Sequence, residues 1–297
     1  MKIGNQAGAN ASELHISRWG HAIVGESVDP RGTAATEFAK SNADAVHRFC
    51  YDPKKLTIEF DGASYSAEEP EKAFTEIGDT PALLEATTLG FVEILLCCKA
   101  LKQAGRTGVS LLYAEPLNYF RPRRSQIVHR RDFELSEEVE EFTALPGNAI
   151  LLLPDRPIKA VVFLGFEGQR LNRFLEQTGI SPSKVEYVFG VPAFRPGWEM
   201  DAFANNLQVR SGGEMAGHVH FCGANSPASA YAVLDRVYRS CDGQRCSVTP
   251  VGTKPHGIGA ALFICEHPEV GVIYDNPKRK KERSDKVGAW HLFEAVF

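Results

Sequence analysis

No stretch of the sequence approaches the eighteen or so consecutive apolar residues that a membrane-crossing helix needs. The opening Met1-Lys2-Ile3-Gly4-Asn5 runs into small and polar residues instead of an apolar leader core, so no export signal is expected and a cytoplasmic location is. The seven cysteines are odd in number and scattered, a usage that suits a reducing cytosol. Cys97, Cys98 and Cys265 fall inside apolar helical patterns and read as small core residues. Cys241 and Cys246 are the only other close pair; with no second half-site, no zinc centre and no other metal site is expected. The glycine fingerprint G-x-G-x-x-G is missing, which disfavours a nicotinamide-dependent dehydrogenase. A serine elbow, an H-E-x-x-H helix and a Walker loop are missing too.

The 297 residues have the balance of an ordinary globular chain, with 43% hydrophobic and 24% charged residues. A net charge of −4 argues against a surface that grips nucleic acid all over. The charge is nevertheless uneven. Arg121, Arg123, Arg124, His129, Arg130 and Arg131 form one basic block, followed by Glu134, Glu137, Glu138, Glu140 and Glu141; Lys278, Arg279, Lys280, Lys281, Arg283 and Lys286 form another. Such runs are usually solvated faces. The functional expectation is phosphate contact, with nucleic acid met through 121–131 and 278–286.

Apolar runs of strand length alternate with helical patterns, which predicts an α/β protein with a Rossmann-like, mainly parallel sheet flanked by helices, with hairpin and long-loop insertions. One large domain over 1–297 is expected, with pseudo-halves 15–120 and 158–297 joined by a charged insertion at 120–157. The first dozen residues read as a loose tail. His21 to Gly25 reads as a strand, and Thr33 as the N-cap of the helix that follows. Ala45 to Tyr51 is a strand, and Leu56 to Phe60 before Asp61-Gly62 is a hairpin. Residues 63–79 are a polar excursion. Phe91 to Gln103 has the helical period and Gly105 closes it; Val109 to Tyr113 completes a β-α-β crossover. Strand character is expected at 149–153. Lys159 to Leu164 is a buried parallel strand, 171–179 its helix, and Lys184 to Gly190 the next strand. Residues 191–217 read as a long loop and a short helix, and under an interaction-module reading the long loops 120–148 and 191–217, with Phe194, Trp198 and Phe203, dock a partner. His218 to Cys222 is a strand, with a helix from Ala228 to Ser240 after it. Ser247 to Ile264 is strand, glycine turn and small-residue helix; Val270 to Tyr274 is a strand, and 288–297 a strand-like tail.

In open parallel sheets ligands sit beyond the carboxyl ends of the strands. Five such ends carry polar clusters here: Glu26, Ser27, Asp29 and Arg31; Glu85, Thr87 and Thr88; Glu115 and Tyr119; Gly165, Glu167 and Arg170; and Gly252, Thr253, Lys254 and His256. They suggest one shared polar crevice. The Gly252-Thr253-Lys254 turn is the sharpest candidate, offering close backbone approach, a hydroxyl, a cation and a helix N-terminus that favours an anion. Gly257 and Gly259 are expected to let that helix lie close to the sheet. Glu167 is a candidate acceptor of ribose hydroxyls and Arg170 a phosphate clamp, although a local ion pair explains both equally well. His256 and His291 are candidates for acid–base work, and lone histidines are more often structural.

Thr249-Pro250-Val251-Gly252-Thr253-Lys254 ahead of Ala260-Ala261 resembles the Thr-Gly-Gly-Thr-Lys-like turn of CARF domains, the cyclic-oligonucleotide sensors of prokaryotic antiviral systems. Val251 replaces the middle glycine, and the likeness covers the last fifth of the chain. The resemblance implies a nucleotide ligand, placed also against Thr87, Thr88 and the Glu26-Ser27 loop, and a homodimer; no separate effector domain is evident. Three functions compete: a nucleotide- or phosphate-ligand-binding sensor or accessory defence component, a nucleotide or phosphoester hydrolase or transferase with Lys254 and a carboxylate from Glu26, Glu85, Glu115 or Glu167, and an interaction module of a larger complex.

Overall fold

The computed structural model describes all residues except 76, 79, 121–132, 134, 139–140, 154–157, 208–215 and 242–243. In chain order the elements begin with β1 (Lys2–Gly8), β2 (Trp19–Val24), α1 (Pro30–Asn42), β3 (Ala43–Asp52), β4 (Thr57–Phe60) and β5 (Ala63–Ser66). Next come β6 (Ala82–Glu85), α2 (Phe91–Gln103), β7 (Gly108–Tyr119), β8 (Ser136–Glu138), β9 (Thr143–Ala144), β10 (Ile158–Leu164), α3 (Gly168–Thr178) and β11 (Val185–Gly190). The chain finishes with α4 (Trp198–Asn206), β12 (Val219–Cys222), α5 (Pro227–Arg239), β13 (Arg245–Pro250), α6 (Lys254–Glu266), β14 (Gly271–Tyr274), β15 (Lys278–Arg279) and β16 (Ser284–Val296). No helix among the described residues is long and apolar enough to cross a membrane.

Two compact units result, Met1–Tyr119 with Lys281–Phe297, and Phe120–Lys280. These bounds differ from the pseudo-halves read in the sequence because the C-terminal residues return to the first unit. There β16 lies antiparallel between β7 and β1, with Trp290 opposite Gly8 and Val296 opposite Lys2. The opening residues are therefore an edge strand and not a loose tail.

The first unit's sheet runs β1-β16-β7-β6-β2-β3-β4-β5. Its centre, β7-β6-β2-β3, is parallel. The β4–β5 hairpin turns at Asp61-Gly62, both at positive φ (49° and 85°). Residues 63–66 and 70–74, expected as part of a polar excursion, are ordered, and Phe74 and Ile77 are buried. Helix α1 starts at Pro30 with Asp29 as N-cap, four residues before the expected Thr33, because Pro30 is preorganised for the first helical position. Its Ala35 and Ala39 pack on Trp19, Ala22, Leu83, Leu112 and Trp290. Helix α2 ends as the sequence predicts. Gly105 takes φ +78°, donates to the Lys102 carbonyl, and Arg106 N–H reaches Leu101, the paired bonds of a Schellman cap.

The second unit's sheet runs β12-β11-β10-β13-β14-β9, parallel except for β9. The strand character expected at 149–153 is limited to an isolated bridge at Leu153, and the antiparallel edge strand is Thr143–Ala144. Strand β10 sits centrally with no exposed residue, as its continuous apolar run predicts. Leu171, Phe174 and Leu175 of α3 pack against Val162, Leu164, Tyr187 and Phe189. Pro255 to Cys265 of α6 are all buried. Gly259 serves the contact with α5 and not with the sheet: a Cβ there would stand 2.4 Å from the Pro227 carbonyl oxygen and 2.9 Å from the Ala230 Cβ. Cys97, Cys98 and Cys265 are buried free thiols.

In each unit the strand order reverses once. In the first, the chain moves outward from β2 to β3 and then from β6 to β7; in the second, from β10 through β11 to β12 and then from β13 to β14. The crevice at such a reversal, outside the strands' carboxyl ends, is where open α/β sheets hold ligands.

Candidate ligand-binding site

The strand-end residues fall into two groups, one per unit. In the second unit, the turns after β10 and β13 meet at the reversal. A Cβ on Gly165 would lie 3.1 Å from the Val251 carbonyl oxygen; one on Gly252 would lie 3.1 Å from His256 Nδ1 and 3.2 Å from the Leu164 carbonyl oxygen. The two turns therefore approach backbone to backbone, which larger residues would prevent. Thr253 is the N-cap of α6: its Oγ1 accepts from His256 N–H at 3.4 Å and donates to the Ala224 carbonyl at 2.6 Å. Its hydroxyl is thus committed to the fold. Half-buried Lys254 opens the helix, at the end where the helix dipole is positive.

Arg170 is turned inward. Its Nε and Nη2 form a two-pronged pair with Asp275 at 2.7 and 2.5 Å, and Nη1 donates to the Val251 carbonyl at 3.3 Å. Burial disfavours the guanidinium's charge, and the Asp275 carboxylate more than offsets this, leaving its pKa above the ordinary arginine value. The buried Glu167 carboxylate accepts from Leu135 N–H, Ser136 N–H and the Ser136 hydroxyl at 3.0–3.1 Å. Arg170 and Glu167 thus hold the turns in place, as a positioning shell. Asn206 Nδ2 donates to the Gly165 carbonyl at 2.7 Å and Asn205 Nδ2 to Phe166 at 2.8 Å. Neither asparagine, nor Asp275, carries a local sequence signal. Trp198 stands edge-on to Phe166, and Phe203 packs against Phe189; both rings are half-buried.

His256 is fully buried. Its Nε2 lies 3.1 Å from the Gly223 carbonyl oxygen and 3.4 Å from Cys222 Sγ. A carbonyl only accepts, so Nε2 carries the proton and Nδ1 presents a bare lone pair toward the Gly252 turn. Nδ1 has no hydrogen-bond partner, and neither has the buried Thr249 Oγ1 on the strand leading to that turn. Burial lowers the His256 pKa to about 4, against weaker opposition from its bonds to Gly223 and Cys222, so the ring is neutral at pH 7. Burial likewise pushes the Cys222 thiol up to about 12, so the pair is not an ionised cysteine–histidine nucleophile.

The His256 shift has a testable consequence. Between pH ~6.5 and ~4 the unfolded chain binds this proton and the folded chain does not, so stability falls as pH falls through that window. The contribution lost is on the order of 3 kcal/mol. Urea melts at stepped pH should show this slope, and His256→Gln should flatten it.

In the first unit, Asp29, Arg31, Glu85, Thr87, Thr88 and Glu115 form a second polar group. Glu85 is fully buried and accepts from Thr87 N–H at 2.8 Å, Thr88 N–H at 2.9 Å and the Thr88 hydroxyl. Thr88 Oγ1 also accepts from Gly25 N–H at 2.9 Å, which ties the β2 and β6 turns together at that reversal. Thr87 Oγ1 accepts from Ala114 N–H at 3.0 Å. Asp29 caps α1 through Gly32 N–H, pairs with Arg31 at 3.6 Å and accepts from the Ser284 hydroxyl. Burial acts to raise its carboxyl pKa; Arg31, Ser284 and the Gly32 N–H outweigh that and hold it below the ordinary value. Arg31 also donates to the Ala114 carbonyl at 2.6 Å. Glu115 lies 3.0 Å from His291 Nε2. Tyr119, opposite Ser284 in the β7–β16 register, has its pKa raised by burial. Glu26 and Ser27 stand exposed, with Ser27 Oγ donating to the Asp29 carbonyl at 3.1 Å.

The basic stretch 121–131 lies outside the described residues. In the other, Lys278 pairs with Glu137 at 3.3 Å, a partly exposed contact of at most ~1 kcal/mol. Among the described residues, no group of three or more His, Cys, Asp or Glu is arranged to hold a metal. No protein-family model matches this chain, and no curated protein matches it.

Proposed function

We propose that this protein binds a nucleotide or another phosphate-bearing ligand at the Gly252-Thr253-Lys254 turn of a Rossmann-like second unit. One observation carries this reading: where the strand order reverses, two glycine turns run backbone to backbone and leave His256 Nδ1 buried beside them without a partner. Buried polar atoms are nearly always hydrogen-bonded, so a bound group completing the turn supplies what the free chain lacks. Lys254 and the N-terminus of α6 favour an anion there. A sensor or accessory role in antiviral defence, in the cytoplasm and as a homodimer, follows from the likeness of Thr249 to Lys254 to CARF turns and extends this reading.

Thermal unfolding against a panel of linear and cyclic nucleotides tests it. A ligand at one hundred times its Kd should add about 2.7 kcal/mol of apparent stability. Gly252→Val, which places its side chain against His256 and Leu164, should abolish that gain. No shift with any nucleotide overturns the proposal, and turnover with Mg²⁺ that Lys254→Ala removes would replace binding alone with hydrolysis or transfer.

A further inference from the structure

We propose that the first unit carries an oxyanion site of its own, in which the buried guanidinium of Arg31 holds a carboxylate or phosphate group on two adjacent N–H donors. This site is separate from the Gly252 turn and goes beyond the function proposed there. Arg31 and Arg170 occupy matching places, each in the first turn of the helix that follows a strand at its unit's reversal, α1 after β2 and α3 after β10. Both are buried, and in both Nη1 donates to a backbone carbonyl, that of Ala114 at 2.6 Å and that of Val251 at 3.3 Å. They differ at the other edge. In Arg170 the Nε–Nη2 edge grips Asp275 with both prongs, at 2.7 and 2.5 Å. In Arg31 that edge makes no hydrogen bond among the described residues: Nε has no partner, and Nη2 lies 3.6 Å from Asp29 Oδ2, too far for one.

Asp29 does not close this fork because its carboxylate is used elsewhere. Its Oδ1 accepts from Gly32 N–H at 2.9 Å, and its Oδ2 from the Ser284 hydroxyl at 2.5 Å. A further bond, from Glu282 N–H to the Val28 carbonyl at 2.9 Å, holds the 282–284 segment on the loop that carries Asp29. The guanidinium is fixed as well. Besides the Ala114 carbonyl, Nη1 reaches the Tyr113 hydroxyl at 3.4 Å, and Cζ stands 5.7 Å from the centroid of the Tyr113 ring. An anion that docks on the Nε–Nη2 edge therefore has little side-chain freedom left to freeze.

The chemistry of the ligand follows from the donors. Two parallel N–H groups on a planar cation match two oxygens of one carboxylate or phosphate, as the Asp275 carboxylate demonstrates on Arg170. A neutral acceptor would satisfy the hydrogen bonds and leave the charge without a close counter-ion. The start of α1, at the adjacent Pro30, is the positive end of a thirteen-residue helix and favours the same sign of ligand. Glu26, Ser27 and Pro30 are exposed, so the buried fork lies within a few residues of solvent along the chain.

The test titrates the intact, isotopically labelled chain with inorganic phosphate and separately with acetate, with chloride holding the ionic strength constant. It follows the side-chain Nε–H resonances of Arg31 and Arg170 together with the Gly252 and Thr253 amides. The Arg31 resonance should move saturably with at least one anion while that of Arg170, already closed by Asp275, stays still; the tighter of the two probes identifies the phosphate or carboxylate source. Arg31→Lys keeps the charge and loses the fork, and should weaken this binding at least about tenfold, the worth of one charge-assisted hydrogen bond. Movement at Arg31 without movement at Gly252 and Thr253 supports this site whatever becomes of the turn; movement at those amides with Arg31 unmoved overturns it and leaves the turn standing. An Arg31 resonance still with both anions, a shift that chloride alone reproduces, or an affinity that survives Arg31→Lys would each overturn it too. If Arg31→Lys fails to fold, the contrast between Arg31 and Arg170 in the unaltered chain decides alone.

Discussion

Arg170→Ala is expected to destabilise the second unit by about 3–5 kcal/mol. The Arg170–Asp275 pair is almost wholly out of water, with side-chain exposures of 7% and 0%. Removing one member leaves the other charge buried and uncompensated, which costs far more than the net worth of the pair. Asp275→Ala should cost a similar amount. The double replacement Arg170→Met with Asp275→Leu should recover part of the loss, since Asp275 is no longer left charged, while Glu167, 3.8 Å from Arg170 Nη1, still loses its cation. Urea unfolding of the three variants measures this. Near-additive losses in the double variant would mean that the pair does not act as a unit. Arg170 also holds the Val251 carbonyl, so nucleotide-dependent stabilisation should weaken in Arg170→Ala even where the fold survives.

Glu85→Ala is expected to cost the first unit about 2–5 kcal/mol. Its carboxylate is the acceptor for two buried backbone N–H groups, at Thr87 and Thr88, each worth about 1–3 kcal/mol when stranded. Glu85→Gln should cost less, because its amide oxygen still accepts while its NH₂ cannot. The same melts separate the two, and equal losses would show that acceptor count is not what matters. Thr88 also receives Gly25 N–H, so amide exchange at Gly25 should speed up in Glu85→Ala.

Much of the strand and helix pattern was legible because its causes are local. The apolar run at 159–164, the period of 91–101 and Gly105 after α2 each declare themselves within a few residues. What stayed hidden depends on residues far apart in sequence. Nothing near Lys2 says that it pairs with Val296, and nothing near Arg170 says that its carboxylate is Asp275. The local pairing of Glu167 with Arg170 is present at 3.8 Å, but Glu167 also accepts from residues 135 and 136, which nothing near it announces. The α1 cap was legible and misplaced: Asp29-Pro30 is the stronger start, and Thr33 lies inside the helix. At the strand ends the sequence identified polar residues but not their partners. The structure commits Thr253, Glu167, Arg170 and Glu85 to holding turns, and leaves His256 Nδ1 and Thr249 Oγ1 among the buried polar atoms without a hydrogen-bond partner.

The central claim is that a ligand completes the Gly252 turn. A titration of the isotopically labelled chain with the best nucleotide of the panel, followed through backbone amide shifts, tests it most directly. The account predicts the largest changes at Gly165, Gly252, Thr253 and Lys254, together with a shift of the His256 ring nitrogens as Nδ1 gains a partner. Saturable changes centred elsewhere, with those four amides and the His256 ring unmoved, would contradict it.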